Sequence, residues 1–223
     1  MQSDSIKSTA RNLRILYPIW MVVGMLGLMF IPNALMNDDV TVTISNIEEK
    51  EVLFRLGILV RIITQLLYII IPLFLYKLFK DVNHFLALLM VSFAFISVPI
   101  TIMSETFQFM ILEVLSDPQA VTTQLSYYGN TMSISMIFWG LWLFPLGVLV
   151  YRSGFFPKAI GVLVIIAGLG YTFGSIVDFI NPHLLSLKSW LEILTFGEVI
   201  FILWLVILGI KRGSAPNIAI ASS

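Results

Sequence analysis

The chain has 223 residues, of which 58% are hydrophobic and 12% are charged, and its formal net charge is zero. Soluble globular domains carry about 25% charged residues, so an apolar excess of this size needs lipid to cover it. The zero net charge argues against nucleic acid as a partner. The absence of cysteine excludes disulfides, thiol nucleophiles and thiolate metal sites.

Six apolar stretches are long enough to cross a hydrocarbon layer, which takes about 20 helical residues. They cover residues 15–36, 52–79, 84–115, 127–151, 159–180 and 189–210. Backbone groups in lipid must be paired within the protein, and continuous apolar runs favour helices over a barrel. The sequence therefore predicts an all-α, polytopic transmembrane bundle of six helices. Its domain covers residues 14–212, between a cytoplasmic N-terminal tail (1–13) and a cytoplasmic C-terminal tail (213–223).

The connections differ in positive charge, and this difference predicts the orientation of the bundle. One side carries Lys7, Arg11, Arg14, Lys77, Lys80, Arg152, Lys158, Lys211 and Arg212. The other side carries Lys50, Arg55 and Lys188. The excess of Lys and Arg marks the cytoplasmic face, so both termini are expected inside (N-in/C-in), in a multi-pass protein of the cell (inner) membrane.

The first connection is the longest and has a pattern of its own. Apolar and hydroxyl residues alternate from Asp38 to Ser45, which predicts a short extended segment. Ser45-Asn46-Ile47-Glu48 then has the form of a capping box, with a hydroxyl and a glutamate three residues apart. The second helix is therefore expected to begin near Asn46, outside the membrane.

Three charged residues lie deep within the predicted spans. A charge at the centre of a bilayer costs about 2.5–3.5 kcal/mol, so its presence needs a reason. Arg61, Glu105 and Glu198 each lie roughly 10–13 Å below the outer end of their helix, at a rise of 1.5 Å per residue. If Arg61 pairs with one of the two glutamates, the other is expected to take up a proton or a cation.

Uncharged polar residues share helix faces with these charges and predict an outward-opening polar pocket. The candidate ligand-binding residues are Arg61, Gln65, Glu105, Gln108, Tyr171, Ser175 and Glu198. The candidate rim residues are Arg55, Glu113, Asp178 and Glu192. Such a pocket would bind or move a small ligand, a cation or a proton.

Two other functions fit the same residues. One is an intramembrane enzyme that modifies lipids, but we predict no catalytic residue, metal or cofactor. The two histidines are His84 and His183, and His183 near Asp178 is read as a solvated loop residue rather than half of a metal site. The other is an interaction or assembly protein, in which the buried charges only fix the packing of the helices.

Small residues recur along the fifth predicted helix. Gly161, Gly168 and Ser175 follow a seven-residue spacing, and Gly170 and Gly174 lie four residues apart. Such residues let helices approach closely in lipid. They predict a tightly packed central helix; a homodimer formed through these faces is the alternative. The lipid bilayer is the partner expected in either case.

Several short motifs together resemble one family. They are Leu53-Phe54-Arg55-Leu56-Gly57-Ile58, Trp139-Gly140-Leu141-Trp142, Ser153-Gly154-Phe155, Gly168-Leu169-Gly170-Tyr171, and Glu198 ahead of Trp204-Leu205. The chain resembles, over nearly its whole length, the bacterial membrane proteins described as domain of unknown function 4386. The resemblance implies a bacterial cell-membrane protein and supplies no activity.

Overall fold

The computed structural model describes residues 2–181 and 183–211, and the predicted tail 213–223 lies outside them. The described residues are almost entirely helical. Their α-helices are α1 (Gln2–Met25), α2 (Ile31–Leu35), α3 (Val40–Glu49), α4 (Glu51–Phe79), α5 (His84–Met110), α6 (Pro118–Ser153), α7 (Lys158–Ile180), α8 (Leu185–Leu194) and α9 (Phe196–Ile207). A π-helix (Leu26–Phe30) joins α1 to α2, and a 3₁₀ turn (Ile111–Glu113) follows α5.

Six helical stretches of the described chain are long and apolar enough to cross a membrane, which confirms the predicted number of spans. They are Ile6–Leu35, Glu51–Phe79, His84–Glu113, Pro118–Ser153, Lys158–Ile180 and Ser186–Ile207. Their outer faces are apolar: along the first span, Ile15, Val22 and Met29 are 59%, 59% and 52% exposed. Large apolar side chains exposed at this spacing form a stripe that suits contact with lipid.

The prediction for the first connection is wrong. Residues 40–49 form α3, not an extended segment, and the helix begins six residues before Asn46. The N-cap is Asp39, whose carboxylate accepts a hydrogen bond from the Thr41 amide at 2.8 Å. Alternation over so few residues also fits a helix, and here Thr43 and Ile47, one turn apart, are the buried pair.

Two further details extend the predicted elements. α6 begins at Pro118, nine residues before the predicted start at Tyr127, because Asp117 caps it: its carboxylate accepts from the Gln119 and Ala120 amides. At the other end of the chain, residues 2–13 of the predicted tail are helical and continue into the first span.

The described chain forms two compact units. Unit 1 comprises Met1–Tyr17, Ile70–Ser97 and Met136–Ser223, and unit 2 comprises Pro18–Ile69 and Val98–Ser135.

Glycines bring α6 and α7 into backbone contact within unit 1. A Cβ on Gly140 would lie 2.7 Å from the Gly168 carbonyl oxygen, and one on Gly147 would lie 2.8 Å from that of Gly161. From the first pair to the second, the residue number rises by seven on α6 and falls by seven on α7, as antiparallel helices require. The predicted tight packing of the fifth span is therefore found, and Gly161 and Gly168 pack inside the protomer.

Arg14 joins the start of the first span to the end of the last one, also within unit 1. Its Nε donates to the Val206 carbonyl at 2.9 Å, and its Nη2 donates to the Ile207 carbonyl at 3.2 Å. A cation at this position satisfies carbonyls that a helix C-terminus leaves unpaired. The first and last spans therefore have their chain ends on the same side of unit 1.

Unit 2 has an apolar core that holds α3 in place. The core residues are Leu35, Ile47, Phe54, Ile58, Ile111 and Val121. Polar bonds support the same contact, since the Asn46 amide donates to the Leu35 carbonyl at 3.0 Å. In addition, the Thr43 hydroxyl bridges the backbone N–H and carbonyl of Asn37.

Candidate functional site

The parts of α4 and α5 that belong to unit 2 carry polar residues on their buried faces. On α4 the polar residues sit at successive i, i+3 and i+4 positions, as do those on α5, so each set forms one stripe. The buried polar residues are Arg61, Thr64, Gln65, Thr101, Ser104, Glu105 and Gln108. The stripes predicted from sequence spacing are therefore present and turned inward.

Arg61 and Glu105 form a buried ion pair. The Arg61 Nε donates to the Glu105 Oε2 at 2.8 Å, and the two side chains are 5% and 2% exposed. Desolvating two charges costs several kcal/mol per ion, which only good geometry and further hydrogen bonds can offset. The positive and negative charges of the pair cancel, so the site is polar but carries no net charge.

The π-helix of the first span also contacts the Arg61–Glu105 pair, in addition to α4 and α5. The Gly27 carbonyl accepts from the Arg61 Nη1 at 3.4 Å. A Cβ on Gly27 would lie 3.0 Å from the Arg61 Cγ, so a larger residue here would require the arginine stem to shift by a few tenths of an ångström. π-Helical turns are rare and concentrate at functional sites. On α6, the Tyr128 ring lies 5.8 Å from the Arg61 guanidinium carbon, as in a cation–π contact.

Several polar atoms around this pair have no hydrogen-bond partner within the described part of the chain. They are Arg61 Nη2, Gln65 Oε1, Glu105 Oε1 and Gln108 Oε1. Their side chains are all more than nine-tenths buried. A buried polar group left unpaired costs about 1–3 kcal/mol, and native proteins contain few of them. We call Arg61, Gln65, Glu105 and Gln108 the Arg61 cluster.

The helix register gives the extent of the Arg61 cluster. α4 and α5 run antiparallel, with Arg61 opposite Glu105. At 1.5 Å per residue, Gln65 is about 6 Å to one side of the pair and Gln108 is about 4.5 Å to the other. The unpaired atoms therefore belong to residues spread over roughly 10 Å along the helices, the length of a small organic molecule.

The remaining predicted ligand residues belong to unit 1. The Tyr171 hydroxyl is hydrogen-bonded to the carboxylate of Glu198, which is partly buried in the first turn of α9. The Ser175 hydroxyl donates to the Tyr171 carbonyl at 3.0 Å, so it is engaged with its own helix. The structure thus divides the seven predicted residues into two sets, four in unit 2 and three in unit 1.

The predicted rim residues lie at the protein surface. Arg55 pairs with Glu51 one turn away at 2.7 Å and stacks over the Phe109 ring at 5.5 Å. Asp178 accepts from the Lys188 Nζ at 2.7 Å. The other two, Glu113 and Glu192, are exposed. The described residues contain no group of three His, Asp or Glu side chains arranged to hold a metal ion.

Sequence reasoning missed three parts of these sites. The π-helix has no sequence signature, although Gly24 and Gly27 three residues apart signalled a close helix approach. Tyr128 lies near the N-terminal end of its predicted span and was not among the predicted site residues. Lys188 and Asp178 lie on either side of a turn, and helical periodicity does not predict a pairing across a turn.

A similar protein of known sequence is archaeal. The chain is 38% identical over 87 residues to an uncharacterized protein of Archaeoglobus fulgidus, a match that covers 39% of this chain and 51% of the relative. The chain therefore matches about half the length of that relative. No solved structure matches the chain significantly.

The family profile covers most of the helical region. Residues 15–209 match the family described as domain of unknown function (DUF4386). The match begins in α1 and ends just after α9, and it includes both the Arg61 cluster and the Tyr171–Glu198 pair. The motifs that resembled this family are thus part of a continuous match, and the chain belongs to the DUF4386 family of proteins.

Proposed function

We propose that this protein binds a small polar ligand at the Arg61 cluster, within the membrane. One observation carries the proposal: four buried polar atoms on neighbouring turns lack a hydrogen-bond partner in the described chain. Polar networks that serve only as packing contacts are expected to be fully paired, because each unpaired member lowers stability. A bound ligand that forms these hydrogen bonds would offset the cost of burying the unpaired atoms.

The unpaired atoms define the chemistry of the ligand. Three of them are acceptors, on Gln65, Glu105 and Gln108, and one is a donor, on Arg61. The complementary molecule has several N–H or O–H groups and one acceptor. A unit charge added beside a neutral ion pair in a medium of low dielectric constant is costly. A neutral or zwitterionic molecule therefore fits better than a bare cation or a proton.

The surroundings of the cluster support an opening toward the outer face. Positive charges predict that the N-terminal end of α4 and the C-terminal end of α5 face outward. Arg61 is ten residues from the start of α4, and Glu105 is five residues from the end of α5. On this orientation the ligand enters from outside, and release on the other side would make the protein a transporter.

The test is the thermal unfolding of purified protein with a panel of neutral and zwitterionic polar molecules. A ligand at one hundred times its Kd stabilises a protein by about 2.7 kcal/mol, or roughly 5–10 °C for a chain of this size. We expect such a shift for the wild type. Glu105→Gln keeps the shape of the side chain but loses its charge, and it should abolish the shift.

Glu48→Gln is the matched control, because Glu48 is exposed and lies on α3, outside the Arg61 cluster and the predicted rim residues. It should respond as the wild type does. Added sodium, potassium and acid form separate arms of the experiment. Equal ligand responses in wild type and Glu105→Gln would reject the proposal, and a response only to a cation or to acid would replace the neutral ligand with that ion.

A further inference from the structure

A second polar site lies in unit 1, apart from the Arg61 cluster. A cavity of about 370 Å³ opens between the first turns of α1 and the last turns of α4. Its lining residues are Ser8, Thr9, Asn12, Phe74, Lys77 and Lys80. Its volume falls in the range of small-molecule sites, about 300–1,000 Å³.

The lining has the composition of an anion site. Lys77 lies in the last turn of α4, and Lys80 follows directly after the helix, with its N–H still bonded to the Tyr76 carbonyl at 2.8 Å. Opposite them, α1 supplies two hydroxyls and an amide from Ser8, Thr9 and Asn12. None of the six described lining residues carries a carboxylate.

The apolar part of the lining lies below the lysines. Phe74 is one turn before Lys77 on α4, and the Lys77 Nζ lies 5.4 Å from the centre of its ring. Both lysines are exposed at the end of the helix, whereas the residues that precede them are those of a membrane span. Charged groups above an apolar floor match the boundary between headgroups and acyl chains.

We propose that this cavity binds a phosphate group. Two ammonium groups with hydroxyl and amide donors match the several acceptor oxygens of a phosphate, and lysine is a common phosphate ligand. Basic pockets between spanning helices on the cytoplasmic side are known to hold anionic lipid headgroups. The phosphate can belong to an anionic phospholipid or to a free phosphate compound, and both sources offer the same chemistry to this site.

The experiment uses the full chain in nanodiscs of phosphatidylcholine. One arm titrates phosphatidylglycerol and counts bound lipids by native mass spectrometry, and the other adds inorganic phosphate and records thermal unfolding. The double variant Lys77→Gln, Lys80→Gln should weaken the binding about thirtyfold, equivalent to about 2 kcal/mol. The control is Lys50→Gln with Lys158→Gln, two exposed lysines outside the cavity, which should bind as the wild type does.

A second variant, Asn12→Asp, adds a carboxylate to the lining without removing a lysine, and it should also weaken binding. Loss in the lipid arm identifies a headgroup site, and loss in the phosphate arm identifies a site for a free phosphate. If neither probe binds, or if both cavity variants bind as the wild type does, the phosphate site is rejected.

Discussion

At the residue scale, Arg61 and Glu105 place two opposite charges in the buried interior of unit 2. The two charges are almost fully buried and each is the other's ionic partner at 2.8 Å. Breaking a buried pair by removing one member leaves an uncompensated charge, which costs about 3–5 kcal/mol. Replacing both members with apolar residues of similar size is often neutral, since neither charge then has to be desolvated.

We therefore expect Arg61→Met to lower the free energy of unfolding by about 3–5 kcal/mol, and the double variant Arg61→Met, Glu105→Leu to recover most of this loss. Denaturant unfolding of the purified variants measures both. A loss in the double variant equal to the sum of the losses in Arg61→Met and Glu105→Leu alone would show that the two residues act independently, contrary to the ion pair.

Asp39 gives a residue-scale prediction of pH dependence. Hydrogen bonds from the Thr41 hydroxyl and amide lower the pKa of the Asp39 carboxyl below its usual value. A lowered folded-state pKa stabilises the protein above the unfolded-state pKa, near 3.9, and the effect is lost as pH falls through the folded-state pKa. Melting temperatures of wild type and Asp39→Asn should therefore converge as the pH falls below about 4. A difference that stays constant with pH would contradict this role.

At the element scale, the long helices followed from the sequence because their apolar runs exceed 20 residues and have only one solution in lipid. α3 did not follow, because Val40, Val42 and Ile44 alternate over a stretch too short to separate strand from helix. The pairing of Arg61 with a glutamate could be predicted, since the sequence position of each residue gives its depth below the end of its helix. The unpaired oxygens were not, because they depend on where each side chain points.

The contact between α6 and α7 gives an element-scale prediction. Gly140→Ala should destabilise the protein by about 1–3 kcal/mol, because the new Cβ would meet the Gly168 carbonyl oxygen at 2.7 Å. Gly174→Ala is the matched control: it is also in a helix, and apart from its chain neighbours and the nearby backbone of its own helix, no described atom lies within 4 Å of its Cβ position. It should stabilise by up to about 1 kcal/mol. Thermal unfolding compares them, and equal effects would contradict the backbone contact.

At the scale of the whole molecule, we propose that both termini are cytoplasmic in the cell membrane. The support is the charge asymmetry of the connections together with Arg14, which brings the ends of the first and last spans to one side of unit 1. The chain contains no cysteine, so single cysteines can be introduced without background.

In intact cells, a membrane-impermeant maleimide should label Ser116→Cys, between α5 and α6, and should not label Lys158→Cys, at the start of α7. Permeabilised cells should show both labelled, which controls for accessibility. The reverse pattern in intact cells would invert the orientation, and with it the proposed direction of ligand entry.

The central claim is that the Arg61 cluster is built for a ligand and not for stability. Its most direct test is the free energy of unfolding of Gln65→Leu, Gln108→Leu without ligand, with Gln119→Leu at an exposed position as control. We expect the double variant to be more stable than the wild type, by about 1–3 kcal/mol for each unpaired oxygen removed. A double variant less stable than the wild type would show that these amides hold the helices together, and would contradict a ligand-binding role for the Arg61 cluster.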